Sequence, residues 1–127
     1  MIVHLVNYPK TSRAVRVAWS LGAMEVWLDT SSRPKREHLH SARSMPCCTA
    51  PCHDAADLLV LEVGAAQISE VEWPRVGRIA VGGPGHTFLR REYPEAQWAG
   101  IVIRPPCLIG DQALAIALWE WRLHCRS

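Results

Sequence analysis

No apolar run in this chain approaches the roughly 20 residues that cross a bilayer, and no internal repeat or low-complexity segment interrupts it. A membrane-spanning helix and a solenoid are thereby excluded from expectation. The amino end, Met1 to Val6, is too short for an export signal and lacks the charged start of one. Five cysteines, an odd number, then point to reduced thiols in a cytoplasm rather than to a disulfide framework. Net charge is also scarce. At a formal +2 there is no overall basic field, so affinity for a polyanion has to rest on a local patch. What is present is ordinary for a folded protein: 49% apolar and 20% charged residues exclude disorder. A length of 127 residues makes residues 1–127 a single domain, able to bury about two thirds of its unfolded surface.

Read in order, Ile2 to Val6 is a first strand that ends at Asn7-Tyr8-Pro9. Thr11 or Ser12 caps a helix running to Leu21, with Ala14, Val15, Ala18, Trp19 and Leu21 on its apolar side and Lys10, Arg13 and Arg16 along one flank. Gly22 stands where a left-handed C-cap belongs. Further strands are expected at Met24 to Leu28, Leu58 to Val63, Arg78 to Val81 and Gly100 to Ile103, a short helix at Thr87 to Tyr93, and a packed turn at Gly64 to Pro74. Strands alternating with helix-length connections imply an α/β domain: a mostly parallel sheet of five to six strands with helices on both faces. Ligands in such sheets sit at the carboxyl ends of the strands. Those ends carry Asn7-Tyr8-Pro9, Gly82-Gly83-Pro84-Gly85 and Arg104-Pro105-Pro106-Cys107.

The last quarter is the most apolar part. Gly110-Asp111 opens a segment in which Ala113 to Trp119 contains no polar residue, and Asp111 is expected as the N-cap. A helix apolar on every side is either enclosed by its own domain or shared with a second chain. Six tryptophans are more than a core of this size takes, so some belong to an interface, and Trp119 and Trp121 are the choice for a homodimer. Cys47, Cys48, Cys52 and His53 invite a zinc reading, but adjacent cysteines rarely ligate one ion and only His38 and His40 are near enough to complete a set. They are read as loop or buried thiols, with no metal site. Cys107 and Cys125 are read as small apolar fillers, and His86 as a solvated loop histidine.

Three segments resemble the SPOUT, or α/β-knot, superfamily of S-adenosylmethionine-dependent RNA methyltransferases, in its TrmH-like branch that methylates ribose 2′-hydroxyls. Asn7 to Gly22 is similar to the opening motif, with Arg16 six residues before the glycine. Ile79 to Gly85 is similar to the strand and glycine turn that line the cofactor pocket. Ile103 to Glu120 is similar to the closing motif, an Ile-Pro turn followed by a helix that ends in an aromatic and Glu. The resemblance implies a C-terminal deep trefoil knot that supplies both the cofactor pocket and the dimer interface. It implies S-adenosylmethionine as cofactor, bound by Val81, Gly82, Gly83, Ile103, Pro105, Cys107 and Leu108, and tRNA or rRNA as substrate. Arg16 becomes the catalytic side chain, able to position a hydroxyl and stabilise its developing charge, with Tyr8, His4 or a substrate phosphate as proton acceptor. Lys10, Arg13, Arg33, Lys35 and Arg36 become RNA contacts. The chain departs from the family at Lys10 and Ile109, where asparagines are expected, at Cys107, where a serine is expected, and after Gly82, where a glutamate is expected. Those departures sustain an alternative, a silent RNA-binding or dimerisation module that keeps the fold.

Overall fold

A computed structural model of the chain describes residues 1–8, 11–29, 47–48, 53–65, 67–83, 86–101 and 110–125. Its elements are β1 (Ile2–Val6), α1 (Thr11–Ser20), β2 (Glu25–Asp29), the two-residue β3 (Cys47–Cys48), β4 (Leu58–Leu61), β5 (Arg78–Gly82), β6 (Gln97–Ala99) and α2 (Gly110–His124). The strands stand in the order β3-β2-β1-β5-β4-β6 and every pair is parallel. β1 is central, with β2 on one side and β5 on the other. Chain order reverses there, so the crevice outside the carboxyl ends of β1 and β5 is the switch point at which open parallel sheets hold ligands.

Alternation along the strands sorts the side chains into two faces. Val3, Leu5, Val26, Leu28, Leu59, Leu61, Ile79 and Val81 form one core with Ala14, Val15 and Ala18 of α1 and Leu114, Ala117 and Leu118 of α2. Val6, Leu58, Val60 and Ala80 face the other way and meet Phe88, Tyr93 and Trp98. Among the described residues both helices therefore lie on one face, not on two. The second face is covered by a strap. Thr87 to Tyr93 is not the expected helix: Leu89 is extended, and only Arg90–Glu92 makes a 3-10 turn. Phe88 and Tyr93, five apart, both enter the same core, which an α-helix at about 100° per residue does not allow.

Two other elements shift. The edge strand lies at Gln97–Ala99, and Gly100 adds only an isolated bridge to Gln67. The ladder ends there because β4 ends at Leu61 and the chain turns away through Gly64, whose φ is 83°. A Cβ on Gly100 would sit 3.1 Å from the Glu62 carbonyl oxygen. The packed turn between Gly64 and Pro74 becomes two 3-10 turns, Ile68–Glu70 and Trp73–Arg75, with Trp73 buried. α1 ends as expected: the Ala23 amide donates to the Ala18 carbonyl (2.9 Å) and that of Gly22 to Trp19 (3.2 Å), with Gly22 at φ 90°, a Schellman closure. Trp19, expected on the buried side, is exposed.

Among the described residues α2 is covered on one side only. Leu114, Ala117 and Leu118 are buried, whereas Ile116, Trp119 and Leu123 are 39%, 54% and 44% exposed. Three large apolar side chains at spacings of three and four form one stripe on the helix surface. The expected knot would involve residues 102–109, which lie outside the described residues.

Candidate functional site at the carboxyl edge

The crevice is built from three chain ends. β1 leads into Asn7, whose φ of 50° places it in the left-handed region that asparagine tolerates, and then into the buried ring of Tyr8. β5 ends in Gly82, and the amide of Gly83 donates to the Val6 carbonyl (3.0 Å). α2 starts against both. A Cβ on Gly110 would lie 2.6 Å from Tyr8 Cε2, 2.8 Å from Val81 Cγ1 and 3.1 Å from the Gly82 oxygen, and a Cβ on Gly82 would meet His86 and Phe88 at 2.8 and 3.0 Å. The absent side chains are what let a helix start and a strand end meet.

Asp111 is not the N-cap. The helix already includes Gly110, and the carboxylate of Asp111 turns to side chains. Tyr8 donates its hydroxyl hydrogen to Oδ1 (2.8 Å), the Asp111 amide donates to the Tyr8 oxygen (2.7 Å), and Arg13 pairs with Oδ2 (3.1 Å). Burial, reinforced by the hydrogen bond to Asp111 and its negative charge, pushes the Tyr8 phenol above its ordinary range. Tyr8 is thus a hydrogen-bond donor locked in place, and the role of proton acceptor is closed to it.

His4 is also withdrawn from the chemistry. It lies on the face of the sheet away from α1, its ring 5.0 Å from that of Trp27. Arg78 Nη1 donates to its Nε2 (3.2 Å), stacks over Trp27 and pairs with Asp57 (3.2 Å). Burial first, and then the charge of Arg78, lowers the pKa of His4 to about 4 against an opposing pull from Asp57. The ring is neutral at neutral pH, with its proton on a buried Nδ1 that has no partner among the described residues.

Arg16 is exposed on α1, one turn beyond Arg13, with no ion pair among the described residues. Of the expected pocket residues, Gly82 and Gly83 are at the crevice and Val81 is buried beneath it in the main core. Ile103, Pro105, Cys107 and Leu108 lie outside the described residues, as do Lys10, Arg33, Lys35, Arg36, His38, His40 and Cys52. His53 packs edge-on against Tyr93 at 4.8 Å, and no group of three metal-ligating side chains occurs among the described residues. Cys125 is an exposed thiol near the Trp73 carbonyl (3.7 Å) rather than a core filler. His86 is half-buried, accepts from the Asn7 amide (3.2 Å) and packs on Phe88. The Asn7–His86 bridge and the Tyr8–Asp111–Arg13 cluster join positions 79 and 103 residues apart, which sequence reading did not pair. An open groove of about 420 Å³, lined by Val71, Glu72, Trp73, Pro74, Arg75 and His124, lies at the opposite end of β5.

The fold these elements define is shared with solved SpoU/TrmH-type RNA methyltransferases. An RNA 2′-O ribose methyltransferase superposes over 99% of this chain with a TM-score of 0.76 at 20% identity. The SpoU methyltransferase AviRb of Streptomyces viridochromogenes, in complex with AdoMet, superposes over 100% with a TM-score of 0.77 at 11% identity. The chain spans 56% and 58% of the lengths of those two proteins. A structure concerned with 2-OH methylation of C/U34 on tRNA matches over 99% of this chain and 92% of its own, with a TM-score of 0.72 at 16% identity. No protein-family model matches the sequence, and no curated protein is significantly similar to it.

Proposed function

We propose that this chain is an S-adenosylmethionine-dependent RNA methyltransferase acting on a ribose 2′-hydroxyl of tRNA or rRNA in the cytoplasm. What carries the reading is the correspondence of almost the whole chain to the fold of methyltransferases that act on RNA, one of them bound to AdoMet. The glycines suit a binding edge at the switch point because they let the end of β5, the ring of Tyr8 and the start of α2 close on one another there, Gly82 against His86 and Phe88 and Gly110 against Tyr8 and Val81. Val81, Gly82 and Gly83, with Ile103, Pro105, Cys107 and Leu108, would hold it. The bound cofactor supplies an electrophilic methyl group on a sulfonium.

The chain's own residues would have to direct the ribose hydroxyl towards that methyl group and let its proton leave. Arg16, exposed and without a competing carboxylate among the described residues, is the group that positions the hydroxyl beside its phosphate and stabilises the developing negative charge. With Tyr8 and His4 unavailable, the substrate phosphate or solvent takes the proton. Lys10, Arg13, Arg33, Lys35 and Arg36 contact phosphates. The C-terminal segment forms the knot, and the exposed stripe of α2 that includes Trp119 forms the homodimer interface, with Trp121, half-buried against the main core, contributing its outer edge.

A second reading keeps the fold without turnover. Gly83, standing where the resemblance expects a glutamate, favours it. Incubating the chain with methyl-labelled S-adenosylmethionine and unfractionated tRNA separates the two. The enzyme reading expects label in RNA that survives alkaline hydrolysis as a dinucleotide, because a methylated 2′-oxygen no longer attacks the adjacent phosphate. Label in alkali-labile mononucleotides would overturn the ribose assignment, and no label with either tRNA or rRNA would favour the silent module.

A further inference from the structure

We infer that Asp111 is a positioning residue that presents Arg13 to RNA in one fixed orientation; this rests on the RNA reading given above. Arg13 was expected to be a free phosphate contact on the flank of α1. The structure instead ties one of its terminal nitrogens to Asp111 Oδ2 at 3.1 Å, with the side chain about half exposed. A guanidinium held at one nitrogen keeps other donors for a phosphate, and the tether restricts the angle at which they are offered.

The anchor is itself rigid. Asp111 is 7% exposed and its other oxygen is held by the Tyr8 hydroxyl, which in turn accepts from the Asp111 amide. Gly110, immediately before it, is wedged against Tyr8, Val81 and the Gly82 oxygen. Arg13 is therefore referenced to the ends of β1 and β5, the edge at which the cofactor is proposed to bind. Arg16 lies three residues further along the same helix face. Asp111 acts through Arg13 and Tyr8 and touches no reacting atom.

A double-mutant cycle tests this without turnover, using fluorescently labelled unfractionated tRNA and the full chain. Asp111→Asn keeps an oxygen for Tyr8 and removes the charge that orients Arg13. In the wild-type background Arg13→Ala should weaken tRNA binding by about three- to ten-fold, and in the Asp111→Asn background by less than about two-fold, because the orientation is already lost. Equal losses in both Asp111 backgrounds would overturn the positioning role while leaving the RNA reading intact. Failure of the wild-type chain to bind tRNA or rRNA fragments would overturn both. Should Asp111→Asn melt below the assay temperature, Arg13→Lys decides: loss of affinity close to that of Arg13→Gln supports an oriented fork, and recovery of wild-type affinity shows that charge alone suffices.

Discussion

A neutral histidine sealed into the middle of β1 gives the molecule a specific acid sensitivity. His4 titrates near 6.5 when unfolded and near 4 in the fold, so between those values the unfolded chain binds the extra proton. Its contribution to stability is fully present above pH 6.5 and is lost as pH falls towards 4, by about 3 kcal/mol at most. Urea unfolding at pH 7.5 and pH 5 should show that loss, and His4→Phe should flatten the dependence by about one proton. A slope unchanged by the substitution would place the sensitivity elsewhere. At Arg16 the prediction concerns rate. Arg16→Ala should lower methyl transfer by about 100-fold or more through lost charge stabilisation, with cofactor affinity unchanged. Loss of cofactor binding in that variant would show that Arg16 belongs to the pocket instead. The spacing of Arg16 to Gly22 is visible in the sequence, but the burial of His4 and the locking of Tyr8 depend on Arg78 and Asp111, partners that only the folded sheet brings near.

Among the elements, α2 carries the tightest constraint and the least satisfied surface. Its start is closed on β5, so Gly110→Ala forces a Cβ to within 2.6 Å of the Tyr8 ring and should cost about 1–3 kcal/mol by overpacking, measurable as a shift in urea midpoint at constant slope. Its outer stripe of Ile116, Trp119 and Leu123 is apolar and exposed in the single chain. Ile116→Lys combined with Trp119→Lys should convert a dimer to a monomer in sedimentation equilibrium with the far-ultraviolet spectrum unchanged. A wild-type chain already monomeric at micromolar concentration would remove that role. The all-apolar run Ala113 to Trp119 told the reader that the helix needed more cover than one face provides, and the structure supplies only the inner half of that cover. The strap at 86–93 was less readable. Its aromatic anchors Phe88 and Tyr93 suit either a helix or an extended turn, and the choice is made by the shape of the β4–β5 face they fill.

At the scale of the whole molecule, the parallel sheet followed from β-rich runs separated by helix-length connections, and the carboxyl edge followed from the sheet. Strand order did not: the reversal at β1, which makes the crevice between β1 and β5 the switch point, is a long-range fact with no local signature. One measurement bears on the central claim most directly, calorimetric titration of the chain with S-adenosylmethionine. The account predicts binding at micromolar concentration with about one site per chain. No heat on titration of the folded chain would contradict it.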